Sequence, residues 1–202
     1  MILLVGLGNP GAVHATHRHN VGFMAVDTIR QHHIFGNERD RFQGLVSEGR
    51  LGSHKALVLK PTTWMNLSGQ SVAAAARFYR IEPGNIVVFH DEIALAPSRI
   101  RIKKGGGAAG HNGIKSVIAH IGADFRRVRI GVGHPGTREQ VNAHVLSNFN
   151  KVETEWLTPL LDAMSEAAPL LAEEGRDDAF ASRIHSILSP NHGNTPRQQT
   201  RE

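Results

Sequence analysis

Short apolar runs alternate with amphipathic segments along the first two thirds of the chain. Runs bounded by Gly, Pro or Asn predict buried strands at residues 2–7, 57–60, 86–90 and 128–132. Helical spacing of apolar positions predicts helices at residues 21–31, 68–79 and 112–121. Ser68 is a plausible N-cap of the second helix. This alternation is typical of an open α/β sheet with helices on both faces.

The last third of the chain has a different pattern. Apolar residues from Leu157 to Leu171 follow helical spacing, and residues 178–188 predict a final helix. Residues 189–202 are polar and contain two prolines, so we expect a disordered tail. Because no linker interrupts residues 1–188, we expect them to form a single domain.

Composition excludes several kinds of chemistry. The chain has 202 residues, of which 40% are hydrophobic and 20% charged, as in ordinary globular proteins. It contains no cysteine, which excludes disulfides, zinc–thiolate sites and a thiol nucleophile. The apolar opening lacks a basic leader, and no run approaches the ~18 apolar residues of a membrane span. We therefore expect a cytoplasmic protein that does not contact a membrane.

The net charge of +5 is unevenly distributed. Eight basic residues and only one acidic residue lie between Arg99 and Arg129, so the rest of the chain is slightly acidic. A basic segment on an otherwise near-neutral protein indicates a polyanionic partner. A solvated charged face would give the same pattern, and composition leaves both interpretations open.

Two glycine-rich loops resemble nucleotide-binding motifs without their context. Residues 6–11 match G-x-G-x-x-G, but Pro10 lacks a backbone N–H for a pyrophosphate and no helix follows directly. Residues 105–110 have the glycine spacing of a P-loop but are followed by His111 and Asn112 instead of Lys and Ser or Thr. Neither loop supports a nucleotide site.

Polar side chains cluster where the predicted strands end, which is where ligands bind in open α/β sheets. They are Asn9, His19, Asn20, Asn66, His90, Asp91, Glu92, His111 and Asn112. A histidine such as His19 can act as a base near neutral pH, and Asp91 could hold its tautomer. Asparagine amides such as Asn9 can both donate to and accept from a peptide group. The sequence therefore favours a His–Asp pair that activates water.

Other catalytic arrangements have little support. No G-x-S-x-G elbow is present, and Ser68 is better explained as a helix cap. His14, His17 and His19 lie close together in sequence, but no metal-ligand spacing such as H-E-x-x-H appears. We expect neither a covalent intermediate nor a bound metal or other cofactor.

These motifs, taken together, resemble those of bacterial peptidyl-tRNA hydrolases. The resemblance rests on residues 5–11, 18–22, 61–69, 90–92, 105–113 and 129–136, and it runs in order from residue 2 to about 188. It implies a monomeric, metal-independent enzyme with a mixed, twisted sheet. It also implies cleavage of the ester between a peptide and the 3′-terminal ribose of tRNA.

The resemblance also implies roles for individual residues. His19 corresponds to the catalytic base, Asp91 to its carboxylate partner, and Asn9 to the residue that separates peptidyl-tRNA from free aminoacyl-tRNA. The positions that correspond to substrate-binding or cleft-lining residues are Trp64, Met65, Asn66, His111 and Asn112.

Other positions correspond to contacts with tRNA. Lys103 and Arg129 match residues that meet phosphate near the tRNA 5′ end. Their neighbours Arg126 and Arg127 would extend the positive field. His14 stands where the family usually has a tyrosine that helps to hold the tRNA end.

Two other function classes compete with the esterase. A non-catalytic RNA-binding protein would use the basic segment but would have no need for a base such as His19 with a carboxylate partner. A nucleotide-dependent enzyme would use the glycine loops, but the missing lysine and Pro10 disfavour it.

Overall fold

A mixed eight-stranded sheet forms the centre of the molecule in the computed structural model, which describes residues 1–189. The strands are β1 (Ile2–Gly6), β2 (Ile34–Phe35), β3 (Arg39–Arg41), β4 (Gly44–Leu51), β5 (His54–Pro61), β6 (Ile86–Glu92), β7 (Ile100–Lys104) and β8 (Arg126–Gly131). The helices are α1 (Val21–His32), α2 (Ser68–Tyr79), α3 (Asn112–Ile121), α4 (Val141–Val145), α5 (Lys151–Ala167) and α6 (Asp177–Leu188).

The sheet is parallel in the middle and antiparallel at both sides. Its order is β2-β4-β5-β1-β6-β8-β7, with β3 also paired to β4. The pairs β5–β1, β1–β6 and β6–β8 are parallel, whereas β4–β5 and β7–β8 are antiparallel. The carboxyl ends of the four central strands therefore meet at one edge of the sheet.

Helices cover both faces of this sheet, which confirms the predicted α/β class. Side chains of β1 alternate between the faces: Ile2 and Leu4 join one apolar cluster, and Leu3 and Val5 join the other. The first cluster includes buried residues of α1, α5 and α6, and the second includes buried residues of α2 and α3. Burial on both faces explains why the central strands are continuous apolar runs.

Two local predictions are wrong. Strand β6 continues through Glu92, because its ladder with β8 reaches the pair Glu92–Gly131, so His90 and Asp91 lie within the strand. Ser68 is not an N-cap: it is already the first helical residue of α2, is fully buried, and its hydroxyl donates to the Met65 carbonyl at 2.8 Å. Leu67 occupies the N-cap position without a side-chain bond.

The predicted tail lies outside the described residues from position 190 onward. Over residues 1–189, none of the helices combines the length and apolar character needed to cross a bilayer.

Candidate active site

Four chain segments converge at the carboxyl edge of the parallel strands. The loop after β1 carries Asn9, and a short 3-10 turn (Arg18–Asn20) before α1 carries His19. Asp91 lies near the end of β6, and His111 caps the N-terminus of α3. His19, Asp91 and His111 meet in one hydrogen-bonded cluster, and Asn9 is bonded to Asn20, the residue after His19.

His19 and Asp91 form a hydrogen-bonded pair. The Nδ1 atom of His19 lies 2.9 Å and 3.0 Å from the two carboxylate oxygens of Asp91. A carboxylate can only accept, so Nδ1 carries the proton and donates. The lone pair of neutral His19 is then on Nε2, which is the arrangement that a general base requires.

His111 donates to the same carboxylate. Its Nε2 lies 2.9 Å from Oδ1 of Asp91, while its Nδ1 accepts from the backbone N–H groups of Gly113 and Ile114 at 3.1 Å and 3.2 Å. The two helix N–H groups fix the lone pair on Nδ1, so the proton must be on Nε2. His111 therefore accepts at Nδ1 and donates to Asp91 from Nε2.

The environment of Asp91 favours its charged form. The residue is only 4% exposed, and burial alone would raise the pKa of its carboxyl group. Electrostatic attraction to the rings of His111 and His19, together with their hydrogen bonds, outweighs burial and holds the pKa of Asp91 well below its usual range. Asp91 thus remains a carboxylate that can stabilise a positive charge on a neighbouring ring.

The side chain of Asn9 has a fixed orientation. Its Oδ1 accepts the backbone N–H of Met65 at 2.9 Å. Its backbone N–H donates to Oδ1 of Asn20 at 3.0 Å, and its carbonyl accepts from Nδ2 of Asn20 at 2.9 Å. The bond to Oδ1 fixes which end of the amide is the oxygen, so Nδ2 of Asn9 is the end that can donate to a ligand.

A cleft of about 440 Å³ opens beside the histidine pair. One side consists of His19, Asp91, His111 and Asn112, with the loop at 108–110. The other lining residues are Glu92, Ile93, His134, Arg138, Val141, Asn142 and Val145, which come from the end of β6, from the segment between β8 and α4, and from α4.

The other predicted substrate residues lie outside this cleft lining. Trp64 is 57% exposed, and the edge of the His14 ring approaches it with a centroid distance of 6.0 Å. His14 is itself held by a 2.7 Å bond from its Nδ1 to the Pro10 carbonyl. Asn66 is exposed, whereas Met65 is buried and orients Asn9 through its backbone.

A second cavity, of about 200 Å³, lies behind the glycine loop. It is lined by Lys103, Arg127, Arg129, Glu92 and His90, with the loop residues 107–109. Arg129 pairs with Glu92 at 2.8 Å, while Lys103 forms no ion pair within residues 1–189. The cavity therefore carries more positive than negative side chains.

Two basic residues that we expected to extend the positive field have bonding partners within the protein. Arg127 is only 4% exposed and donates to the carbonyls of Gly106 and Gly107 at 2.7 Å and 2.6 Å, so it anchors the glycine loop. Arg126 is neutralised by Asp177 at 2.8 Å. The sequence alone could not distinguish these two arginines from solvated ones, because Arg126, Arg127 and Arg129 all lie in the same strand, β8.

The donor set does not suit a resident metal ion. His19, Asp91 and His111 place ligand atoms within 4.8 Å of one another, and no other such cluster occurs in the described part of the chain. However, Nδ1 of His111 already uses the lone pair of the neutral ring, so its Nε2 carries a proton and cannot ligate. His14 and His17, the candidates from sequence spacing, contribute nothing to this cluster.

Sequence reasoning missed the wall of the cleft that α4 supplies. This helix has only five residues, Val141–Val145, too few to show a helical period. Arg138, just before it, has no strand or motif that would have pointed to it. The contact between His111 and Asp91 was also missed, because it depends on how the α3 N-terminus meets β6.

Comparison with known proteins identifies the family. The family model for peptidyl-tRNA hydrolase matches residues 3–192. The peptidyl-tRNA hydrolase of Parvibaculum lavamentivorans is 54% identical over 203 residues, covering 100% of this chain and 98% of its own. That of Bradyrhizobium diazoefficiens is 56% identical over 188 residues, covering 93% of each chain.

A solved structure shows the same architecture. The crystal structure of peptidyl-tRNA hydrolase from Acinetobacter baumannii superposes with a TM-score of 0.86 at 38% identity, covering 92% of this chain and 95% of that one. Sequence and structure agree along nearly the whole length, and the chain therefore belongs to the peptidyl-tRNA hydrolase family.

Proposed function

We propose that this protein hydrolyses the ester bond between a peptide and the 3′-terminal ribose of tRNA, with His19 as general base and Asp91 as its orienting carboxylate. Family membership supports the substrate. The observation that carries the mechanism is the bond from Nδ1 of His19 to Asp91, which leaves Nε2 unprotonated beside the cleft.

The reaction follows from this arrangement. Nε2 of His19 removes a proton from water as the water oxygen bonds to the ester carbonyl carbon. Asp91 stabilises the imidazolium that forms. When the carbon–O3′ bond breaks, His19 returns the proton to the ribose oxygen. The products are the peptide acid and a tRNA with a free 3′ hydroxyl.

His111 supports this step through Asp91. Its side chain is one of the residues around the cleft, and its donor nitrogen is directed to the carboxylate. A second N–H bond keeps Asp91 charged and fixes the oxygen that faces His19. Its role in the proposal is therefore to position the pair.

Asparagines and aromatic residues recognise the acyl and nucleotide ends of the substrate. The free Nδ2 donors of Asn9 suit the carbonyl oxygen of a peptide group, and they would face an ammonium group poorly. Asn66 and Asn112 supply further amides at the rim. The exposed ring of Trp64, supported by His14, offers a face on which a 3′-terminal base can stack.

Basic side chains behind the glycine loop bind the tRNA backbone. Lys103 and Arg129 line the second cavity, where they would meet phosphate near the tRNA 5′ end. Arg138 adds a positive charge on the other side of the loop, at the cleft. The protein acts as a monomer in the cytoplasm, where peptidyl-tRNA is produced, and it needs no cofactor.

The decisive assay measures release of the acyl amino acid from N-acetylated aminoacyl-tRNA. His19→Ala should lower kcat by on the order of 10²–10⁴-fold. Asp91→Asn should lower kcat by at least about 10²-fold with little change in KM, because the amide NH2 group that replaces one oxygen would face the Nδ1 proton of His19 and favour the wrong tautomer.

His54→Ala is the matched control, since His54 is an exposed histidine in β5 far along the strand from the site. It should retain full activity. A His19→Ala variant with near-normal single-turnover rate would exclude the general-base mechanism.

A further inference from the structure

The residue before the proposed base is a buried arginine that the mechanism above does not use. Arg18 is 7% exposed and lies on the same short turn as His19. We propose that Arg18 is a positioning residue, which holds the His19 turn and the α4 wall of the cleft as one rigid unit. The proposal rests on His19 being the base.

The guanidinium of Arg18 is bonded on every side. Its Nε and one terminal nitrogen form a bidentate pair with the carboxylate of Glu153 at 2.9 Å and 2.5 Å. The other terminal nitrogen donates to the Ser147 hydroxyl at 2.5 Å and to the carbonyls of His144 and Ser147 at 3.2 Å. Its charge lies over the Phe149 ring, 5.6 Å from the centroid.

The partners of Arg18 lie in α4 and in the segment that follows it, next to the α4 residues that line the cleft. His144 is in α4, whose residues Val141 and Val145 line the cleft, and Glu153 is in the first turn of α5. Backbone bonds follow the same path, since the Arg18 N–H donates to the Ser147 carbonyl at 3.0 Å. The Arg18 side chain therefore connects the turn that carries His19 to α4, which contributes residues to the cleft lining.

Those partners are themselves fixed. Glu153 and Asn150 form a capping box at the start of α5. Burial would raise the pKa of Glu153, but bonds from Arg18 and Asn150 lower it below the usual range, so the carboxylate stays charged. The His144 ring donates from Nε2 to the Val132 carbonyl at 3.1 Å, just after β8.

The turn needs such an anchor. It consists of three 3-10 residues, Arg18–Asn20, and short 3-10 turns have weak internal hydrogen bonds. A displacement of about 1 Å in a catalytic group can lower the rate by about 10²-fold. Arg18 does not line the cleft, so it can act on catalysis only through what it holds.

A buried ion pair is a poor way to gain stability alone. Replacing both partners by apolar side chains of similar volume is often neutral or stabilising. The double variant Arg18→Met with Glu153→Met therefore separates folding from positioning. It removes the pair without leaving a buried charge. It also removes the bonds from Arg18 to the carbonyls of His144 and Ser147 and the bond from the Asn150 N–H to Glu153.

The test compares this double variant, Arg18→Lys and wild type in hydrolysis of N-acetylated aminoacyl-tRNA, with thermal unfolding as the measure of folding. We expect the folded double variant to show kcat lowered about 10- to 100-fold and KM within about threefold of wild type. Arg18→Lys keeps the positive charge but cannot form the bidentate pair with Glu153. Its kcat should lie between those of wild type and the double variant.

A spectroscopic readout follows the base directly. The hydrogen-bonded Nδ1 proton of His19 should give a downfield proton resonance, assigned by its absence in His19→Ala. In the folded double variant this signal should broaden through exchange with water. If the wild-type protein did not hydrolyse the substrate, the proposed function would be wrong. The Nδ1 resonance of His19 would still show whether Arg18 holds the His19 turn in place.

The matched control is Arg126→Met with Asp177→Met, which removes another, partly buried arginine–carboxylate pair whose residues do not line the cleft. It should leave kcat and the His19 resonance unchanged. The proposal is overturned if the folded double variant keeps kcat within twofold of wild type. If that variant does not fold, an Arg18→Lys variant whose kcat per folded molecule equals that of wild type overturns it equally.

Discussion

At the scale of single residues, the site depends on which imidazole nitrogens carry protons. Backbone N–H groups of α3 fix the lone pair of His111 on Nδ1, and the Asp91 carboxylate fixes the proton of His19 on Nδ1. Two donors thus converge on one carboxylate. This explains why Asp91 stays charged although it is buried, and why His19 alone has a free lone pair beside the cleft.

Asn9 can be tested by a substitution that keeps its anchor. In Asn9→Asp, one oxygen can still accept the Met65 N–H, but the Nδ2 donors are replaced by a second carboxylate oxygen. That oxygen would repel a peptide carbonyl and attract the ammonium of free aminoacyl-tRNA. The ratio of kcat/KM for N-acetylated over free aminoacyl-tRNA should fall at least tenfold. An unchanged ratio would show that discrimination depends on other residues.

His90 makes the stability of the fold dependent on pH. It is 4% exposed, and its pKa is lowered from 6.5 to about 3, mainly because burial disfavours its charged form. Between pH 6.5 and about 3, His90 is protonated in the unfolded chain but not in the folded chain. The free energy of unfolding therefore falls as the pH drops from 6.5 towards 3. His17, whose pKa is also lowered by burial and by nearby histidines, acts in the same direction.

Removing His90 should flatten this dependence. In urea unfolding between pH 5 and 6, the slope of stability against pH should be smaller in His90→Gln by about 1 kcal/mol per pH unit. Asp91 and Glu153 titrate below this range when unfolded, so they do not obscure the comparison. Above pH 7.5 the two slopes should coincide, which serves as the internal control. Equal slopes at pH 5–6 would contradict the lowered pKa.

Residue-level chemistry was only partly predictable from the sequence. The approach of His19 to Asp91 follows from the ends of neighbouring strands, and the structure brings the two to 2.9 Å. The burial of Arg127 and the bond from His111 to Asp91 depend on how a loop and a helix end pack, which no local pattern encodes. The roles assigned to these residues remain predictions.

At the scale of elements, α1 reaches the site because it packs closely on two strand ends. A Cβ atom added to Gly22 would lie 2.2 Å from the Phe89 carbonyl oxygen and 2.5 Å from the Leu7 nitrogen. These are backbone atoms of β6 and of the segment after β1, and neither can move without disturbing the sheet. The close approach places the turn that carries His19 directly over these strands.

Gly22→Ala should therefore destabilise the protein by at least about 3 kcal/mol in chemical unfolding, since the overpacked atoms belong to rigid backbone. Gly107→Ala is the matched control, because an added Cβ there meets nothing within 4 Å. It should change stability by no more than about 0.5 kcal/mol. A loss below 1 kcal/mol for Gly22→Ala would mean that α1 can shift away from the sheet.

Element prediction succeeded where burial imposes a pattern. The central strands and α1, α2, α3 and α5 were predicted because two-sided burial gives apolar runs and one-sided burial gives helical spacing. Strands β2, β3 and β7 were missed, since they lie at the sides of the sheet and are short with exposed polar residues. Strand β4 was also missed, because the polar residues Ser47, Glu48 and Arg50 interrupt its apolar positions. Helix α4 was missed because its five residues are too few to show a helical period.

At the scale of the whole molecule, the glycine loop separates the cleft beside His19 from the basic cavity. The segment at 105–110 lies between the cleft that holds His19 and the cavity that holds Lys103 and Arg129, and residues 108 and 109 line both. Arg127 anchors this loop from below. A substrate with a reactive ester at one end and phosphates some distance away can therefore contact both sites at once.

The phosphate side of this division is tested by Lys103→Ala. Lys103 has no ion pair within residues 1–189, whereas Arg129 shares its charge with Glu92, so removing the lysine should have the clearer effect. Each lost phosphate contact lowers the slope of log affinity against log salt by roughly 0.7–0.9. Lys103→Ala should therefore raise KM for full-length peptidyl-tRNA and weaken its salt dependence, with kcat little changed.

A minimal substrate, in which a peptide is esterified to a single nucleoside, separates the two sites. It has no phosphate that reaches Lys103, so wild type and Lys103→Ala should cleave it at equal rates. Lys55→Ala, at an exposed lysine of β5, is the control and should leave both substrates unaffected. If Lys103→Ala impaired the minimal substrate as much as the full-length one, the lysine would be acting on the cleft or on folding. The division of the molecule into an ester site and a phosphate site would then be wrong.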